Sequence, residues 1–395
     1  MAETTTPFDI RARRGAAALG TVVVWVLAAA LALVVAAELV FFGIHAAHLL
    51  TYPYPLDYGE GPLLAQVSLL RAGTPIWRLY SDPGAPPYAV VNYPPVYHLL
   101  AALVALPLGD YAGATLLAGR LVSLAATFAA VLALWLLSDD GTGTIYPAST
   151  ADDRRIMASP VISGRWSVVA RMLIVLAFLG LPIVREWAVV MRVDMLGLAL
   201  GLWGLLIVRG NVGRRRVLWA ALPLALSLFV KPSLLAAPGT ALVWLLFRDW
   251  RRALLLGLLI VTGSGLLFVL LQLASGGWFA IHILAANAND WQYELAHGFW
   301  RDQMLILWPM IAAATLGFLV RRPTTAVLDA QFSLLPLYYT LFGAITAFGI
   351  GKVGAYTNYF LEFYAGLIWL AASAIRPTTA WARDIVPRRP TTDDY

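Results

Sequence analysis

The sequence predicts an all-α membrane bundle of about ten spanning helices. Three observations carry this: a composition poor in charge, apolar runs of spanning length, and arginines concentrated in alternate loops. Of 395 residues, 60% are hydrophobic and 13% charged, and mean hydropathy is +0.75. A soluble domain carries about 25% charged residues, so lipid is the solvent for most of this chain. One bundle accounts for residues 1–395 without a domain break. There is no cysteine, which excludes disulfide staples, thiolate zinc sites and a cysteine nucleophile. The net charge of +6 does not point to nucleic acid, because the arginines sit in short inter-helix loops, where membrane proteins keep them.

Apolar runs fall near 20–46, 113–137, 167–184, 189–208, 216–230, 233–247, 253–274, 303–320, 331–350 and 357–375. The first follows Arg11, Arg13 and Arg14. It exceeds the about 7–15 apolar residues of a signal peptide, so it is expected to be a retained anchor. Val96–Leu106, set between Pro94–Pro95 and Pro107, would rise only about 16 Å as a helix. A bilayer core is about 30 Å thick, so residues 96–106 are expected to lie along the interface. Positive-inside counting agrees. With ten spans and both termini cytoplasmic, the inner segments hold Arg11/13/14, Arg154/155/165, Arg209/214/215/216, Arg248/251/252, Arg321/322 and Arg376/383/388/389, nineteen of the 28 basic residues.

This topology sends the remaining polar residues outward. All five histidines fall at outer ends or loops, as do the two lysines, Lys231 and Lys352. So do Asp57, Glu60, Asp82, Asp110, Glu186, Asp194, Asp290, Glu294, Asp302 and Glu362. The first outer loop, about 51–95, is the richest. Pro62 suits the first turn of a helix and Gly73 its carboxy-terminal cap. Leu63, Leu64, Val67 and Leu70 mark an apolar face, with Gln66 and Arg71 off it, as in a helix lying on a membrane surface. Asp57 and Glu60 stand before that helix, where its partial positive charge favours carboxylates. The pair suits a general base, a metal site or a solvated cap.

Ionisable residues inside spans are costly and point to function by default. Arg120 lies two turns into its span, and Arg192 and Asp194 near the outer end of theirs. Two residues apart on a helix, the latter two are expected to face different directions. Asn358 and Glu362 are four apart and share a helical face. Lys352 lies in GIGKVG, where glycines allow close backbone approach to a phosphate, although the Walker spacing is missing. Glu362 is placed to hold the Lys352 ammonium, and intramembrane salt bridging is the plainer reading of the whole set. Glu38 is left without a role, a packed, protonated core residue being an equal reading. Gly197, Gly201 and Gly204 are spaced for close helix contact rather than for binding.

DYGEG in the first loop, NYPPVYHLL at the surface helix and GRLVSLAA leading the next span together resemble the GT-C glycosyltransferases over about residues 51–125. These enzymes use polyprenyl-phosphate-linked sugars. Among them are protein O-mannosyltransferases and lipid A aminoarabinose transferases. MRVDMLGLALG and GKVGAYTNYFLE look like later motifs of bacterial relatives. Many relatives have adjacent Asp–Glu where this chain has Asp57 and Glu60, and a Lys where it has Tyr93. The resemblance implies a GT-C-like bundle at the cell membrane with its site on the non-cytoplasmic face. It implies a catalytic base at Asp57, or at Glu60, and a polyprenyl-phosphate-linked sugar as donor. A glycan, lipid or protein hydroxyl would be the acceptor. Arg120, Arg192, Lys231 and Lys352, with Asp194, Asn358 and Glu362, are the expected substrate contacts, and a divalent cation is left open at Glu60 or Asp194. Two other readings remain: an undecaprenyl-diphosphate-dependent glycopolymer ligase or polymerase, and a lipid or glycan transporter.

Overall fold

The computed structural model describes residues 7–109, 111, 113–139, 164–210, 213–320 and 327–375. Of the topology argument, Arg154, Arg155, Arg321, Arg322 and the arginines from Arg376 to Arg389 lie outside the described residues, as does Asp110. Among the described residues the regular structure is helical, apart from one isolated bridge between Trp291 and Lys352. In chain order the helices are α1 (Pro7–Thr51), α2 (Glu60–Arg71), α3 (Val96–Ala105), α4 (Ala114–Ser138), α5 (Gly164–Gly180), α6 (Pro182–Val189) and α7 (Asp194–Arg209). There follow α8 (Arg214–Val230), α9 (Ala236–Leu246), α10 (Trp250–Ala274), α11 (Phe279–Ile283), α12 (Tyr293–Val320), α13 (Val327–Ala347) and α14 (Leu361–Ala374).

Among the described residues, four helical stretches are long and apolar enough to cross a membrane: Trp25–Thr51, Ala114–Ser138, Trp250–Ala274 and Leu334–Gly351. A fifth arises if the bent pair Val168–Gly180 and Pro182–Val189, meeting at 67°, counts as one span. Other predicted runs form shorter helices for visible reasons. Pro182 stands at the start of α6 and forces the bend, since proline suits a first turn and not a helix interior. The chain leaves helical form again at Val190–Val193, so the predicted run 189–208 becomes an irregular elbow followed by the 16-residue α7. Lys231–Pro232 ends the 17-residue α8 in the same way.

The core centres on α14, in which every residue from Leu361 to Leu370 is buried, against α4, α5, α12 and α13. Small residues let the helices close. Gly366 and Gly343 sit where an added Cβ would meet the backbone of Thr340 and of Phe363 at 2.7 and 2.8 Å. Gly197, Gly201 and Gly204 meet Leu234, Ala237 and Leu224, which is the close packing their spacing suggests.

The first loop is folded against this bundle. Leu63 and Val67 of α2 and Tyr97 and Ala101 of α3 bury themselves against Leu116, Val122, Met191 and Val193. Each large side chain so buried contributes about 1.5–3 kcal/mol. Gly73, at φ +89°, ends α2 as a left-handed cap. Gln66 departs from expectation: it is buried, and its Oε1 lies 2.8 Å from His98 Nε2, a polar pair sealed between α2 and α3. Burial lowers the His98 pKa to about 4, so this imidazole is neutral near pH 7.

Candidate active site

Glu60 and Arg120 form the first unit of the site. Both are fully buried, with Arg120 Nη2 3.0 Å from Glu60 Oε2. The carboxylate accepts from Arg120 Nε and Nη2, from the Met191 amide at 2.6 Å and from the Leu56 amide at 2.7 Å. Burial opposes its ionised form, but the Arg120 side chain and those two amides outweigh it and hold the carboxyl below its usual range. Arg120 donates onward to the carbonyls of Leu49, Tyr52 and Tyr54. A guanidinium has five N–H groups, and all five are spent. Two expectations are therefore corrected. Glu60 has no oxygen left to act as a base or to hold a cation, and Arg120 has no donor left for a phosphate. Both tie the end of α1 to α2, α4 and the Met191 elbow.

Arg192 and Asp194 meet, contrary to expectation, because Arg192 belongs to the elbow and Asp194 to the first turn of α7. Their Nε and Oδ2 atoms stand 3.8 Å apart, an ionic contact too long for a hydrogen bond. Arg192 Nη1 donates to Asp57 Oδ2 at 2.8 Å, and Nη2 to Tyr93 Oη at 3.2 Å. Burial pushes the Tyr93 phenol up, so this ring is a neutral acceptor for the guanidinium. Asp194 Oδ1 takes Lys231 Nζ at 2.6 Å and Asn358 Nδ2 at 2.9 Å. Asp57, Arg192, Asp194 and Lys231 thus alternate in sign across a mostly buried row. Among the described residues, three buried atoms in and beside it keep no hydrogen bond: Arg192 Nε, Asp194 Oδ2 and Asn358 Oδ1.

Gly59 makes the Asp57–Arg192 pair possible. A Cβ there would fall 1.4 Å from Arg192 Nη1. Gly59→Ala is expected to cost about 1–3 kcal/mol by overpacking, read as a lowered unfolding midpoint in detergent. Gly61→Ala, whose Cβ would meet nothing within 4 Å, is the matched control and should leave the midpoint in place.

Asp57 opens onto a cleft of about 620 Å³ between α1, the first loop and α6. Phe41, Leu49, Leu56 and Val190 give it apolar walls, and Asp57, Tyr58, Glu186, Arg185, His45 and Tyr356 its polar surface. Asp57 is held on one side only: Oδ2 accepts from Arg192 and from the Gly59 amide at 3.0 Å. Among the described residues Oδ1 accepts no hydrogen bond. Glu186, an outer acidic residue that the sequence did not single out, supplies a second carboxylate. Arg185 and His45 were likewise missed. Their signal was indirect: Glu38, left without a role inside a predicted span, pairs with Arg185 at 2.7 Å.

Lys352 and Glu362 do not meet. Lys352 Nζ donates to the Asn287 carbonyl at 3.2 Å, outside the cleft. The turn at Phe348–Gly351 pairs with the segment before α12, through Gln292 N to Gly351 O and Val353 N to Asp290 O, and carries Lys352 with it. Two of the GIGKVG glycines serve packing, Gly349 against Tyr359 and Gly351 against the Trp291 indole, while Gly354 turns the chain at φ +83°. Glu362 accepts from Thr346 Oγ1 at 3.1 Å and the Ala236 amide at 3.4 Å, at the start of α9. Asn358, on the turn preceding α14, points instead to Asp194. Asn358 lies in a 3-10 turn, Thr357–Phe360, and Glu362 in the first turn of α14.

Among the described residues no three acidic or histidine side chains gather as a metal ion would require. No family model matches the chain, and no characterised protein or solved structure is significantly similar to it.

Proposed function

We propose that this chain is a GT-C-like membrane glycosyltransferase. It moves a sugar from a polyprenyl-phosphate carrier to an acceptor hydroxyl at the non-cytoplasmic face. The observation that supports this best is Asp57, a carboxylate clamped through one oxygen and open through the other in a cleft with both apolar and polar walls. The acceptor oxygen attacks the anomeric carbon and gives its proton to Asp57 Oδ1. The bond from that carbon to the phosphate oxygen breaks, and its electron pair leaves with the phosphate. Phosphate is a good leaving group, so a cation stabilising its charge matters more than a general acid. The apolar walls suit the isoprenoid tail. Sugar nucleotides are cytoplasmic, so transfer on the far side needs a donor already anchored in lipid.

The reading includes ten spans, both termini inside, and residues 96–106 at the outer surface. Because the chain lacks cysteine, single-cysteine labelling tests this directly. Ala288→Cys is expected to react with an impermeant thiol reagent on intact cells, and Ile145→Cys only after lysis. Labelling at 145 from outside would overturn the topology. For the reaction, mass spectrometry of cell-envelope glycans with and without the gene should show loss of one sugar. An unchanged glycan profile would sink the assignment.

A further inference from the structure

The donor phosphate needs a cation, and the four basic residues expected from sequence are committed elsewhere. Arg120 has spent every N–H on Glu60 and three carbonyls. Arg192 lies behind Asp57, held by Asp57 and Tyr93. Lys231 is bound to Asp194, and Lys352 lies outside the cleft. The basic side chains that line the cleft are Arg185 and His45.

Arg185 stands at the lipid-facing edge. Its Nη1 lies 2.7 Å from Glu38 Oε2, and its guanidinium covers the Phe41 ring at 4.7 Å from the centroid. Glu38 and Phe41 belong to α1, whose apolar stretch is only 11% buried. His45 lines the same cleft as Arg185. Gly180, the last residue of α5, packs on Glu38, so the ion pair sits level with that helix end and not at mid-bundle. An ion pair on a lipid-facing wall is costly, and such residues mark substrate pathways. The side chains remain partly accessible, Glu38 at 39% and Arg185 at 22%, unlike the sealed Glu60–Arg120 pair.

The geometry points to Arg185, assisted by His45, as the subsite for the phosphate of a lipid-linked donor, with Glu38 holding the guanidinium until that phosphate displaces it. This assignment rests on the lipid-linked-donor reading. The phosphate exchanges one anion for another on Arg185, and its isoprenoid chain leaves the cleft along Phe41 and Leu49. The sugar then lies toward Asp57 and Glu186.

The test is equilibrium binding to the full chain in phosphatidylcholine nanodiscs, with a polyprenyl monophosphate and the matching uncharged polyprenol as probes. Wild type should prefer the phosphate by about ten-fold or more, the scale of a charge-assisted contact. Arg185→Gln should remove that preference, and Arg185→Lys should keep part of it. Glu38→Gln should act in the opposite direction and tighten phosphate binding, because the competing carboxylate is gone. Should Arg185→Gln fail to fold, the Lys and Glu38 variants carry the test. An unchanged preference in Arg185→Gln, or weaker binding in Glu38→Gln, would overturn the subsite and leave a structural ion pair. Displacement of the probe by equimolar inorganic phosphate would overturn its lipid-linked character. Binding needs no sugar transfer, so a protein that shows this pattern without transferase activity would refute the proposed function and not the subsite.

Discussion

Asp57→Asn is expected to lower sugar transfer about 10²–10⁴-fold, the usual cost of losing a general base. The fold should survive, because asparagine keeps an oxygen where Arg192 and the Gly59 amide need one. The substitution removes the proton-accepting charge at the open side of the cleft and little else. The measurement is initial rate in nanodiscs at saturating donor, beside circular dichroism and an unfolding scan. Near-wild-type turnover would move the role to Glu186, the other carboxylate of the cleft, or remove a general base from the mechanism.

Arg120→Met should fail for a different reason. It leaves Glu60 charged, buried and unpaired, and breaking such a pair costs about 3–5 kcal/mol. It also strips partners from the Leu49, Tyr52 and Tyr54 carbonyls. Whole-protein stability is typically about 5–15 kcal/mol, so little folded protein should be recovered, whatever the substrate. Glu60→Gln should destabilise too, but less, since it keeps one acceptor. The same pair predicts a pH dependence. Glu60 titrates below its ordinary range when folded. Its contribution is therefore fully present above the ordinary carboxylate pKa and is lost as pH falls through the depressed one. Wild type should lose stability in acid more steeply than Glu60→Gln, by unfolding scans from neutral to acid pH. Equal slopes would mean that Glu60 is not ionised in the fold.

The helical class, the cap of α2 at Gly73 and the packing role of the α7 glycines were legible because each depends on neighbours in sequence. The ranking of Asp57 and Glu60 was not. Three residues apart, they look equivalent, yet a turn closed by Glu60 N to Asp57 O sends one carboxylate toward Arg120 and leaves the other at the cleft. The pairing of Glu38 with Arg185 spans 147 positions, and no local pattern encodes it. Lys352 misled for a related reason: glycines that permit approach of a phosphate equally permit approach of an indole, and here Trp291 occupies the space. The break before α7 explains the rest. A helix at 189–208 would have kept Arg192 and Asp194 apart, and the elbow brings them together.

The Arg120 cluster has a mechanical consequence for α1. Its apolar stretch Trp25–Thr51 has 27 residues, about 40 Å at 1.5 Å per residue, against a hydrocarbon core of about 30 Å. A rod so much longer than its slab must tilt or protrude as the slab changes thickness. Arg120 grips the Leu49 and Tyr52 carbonyls, so the Thr51 end is a clamped boundary. Adjustment to a thicker or thinner bilayer therefore grows with distance from the clamp, as displacement does along a cantilever. Phe41, His45 and Leu49 lie within the last turns before the clamp, where such displacement is smallest.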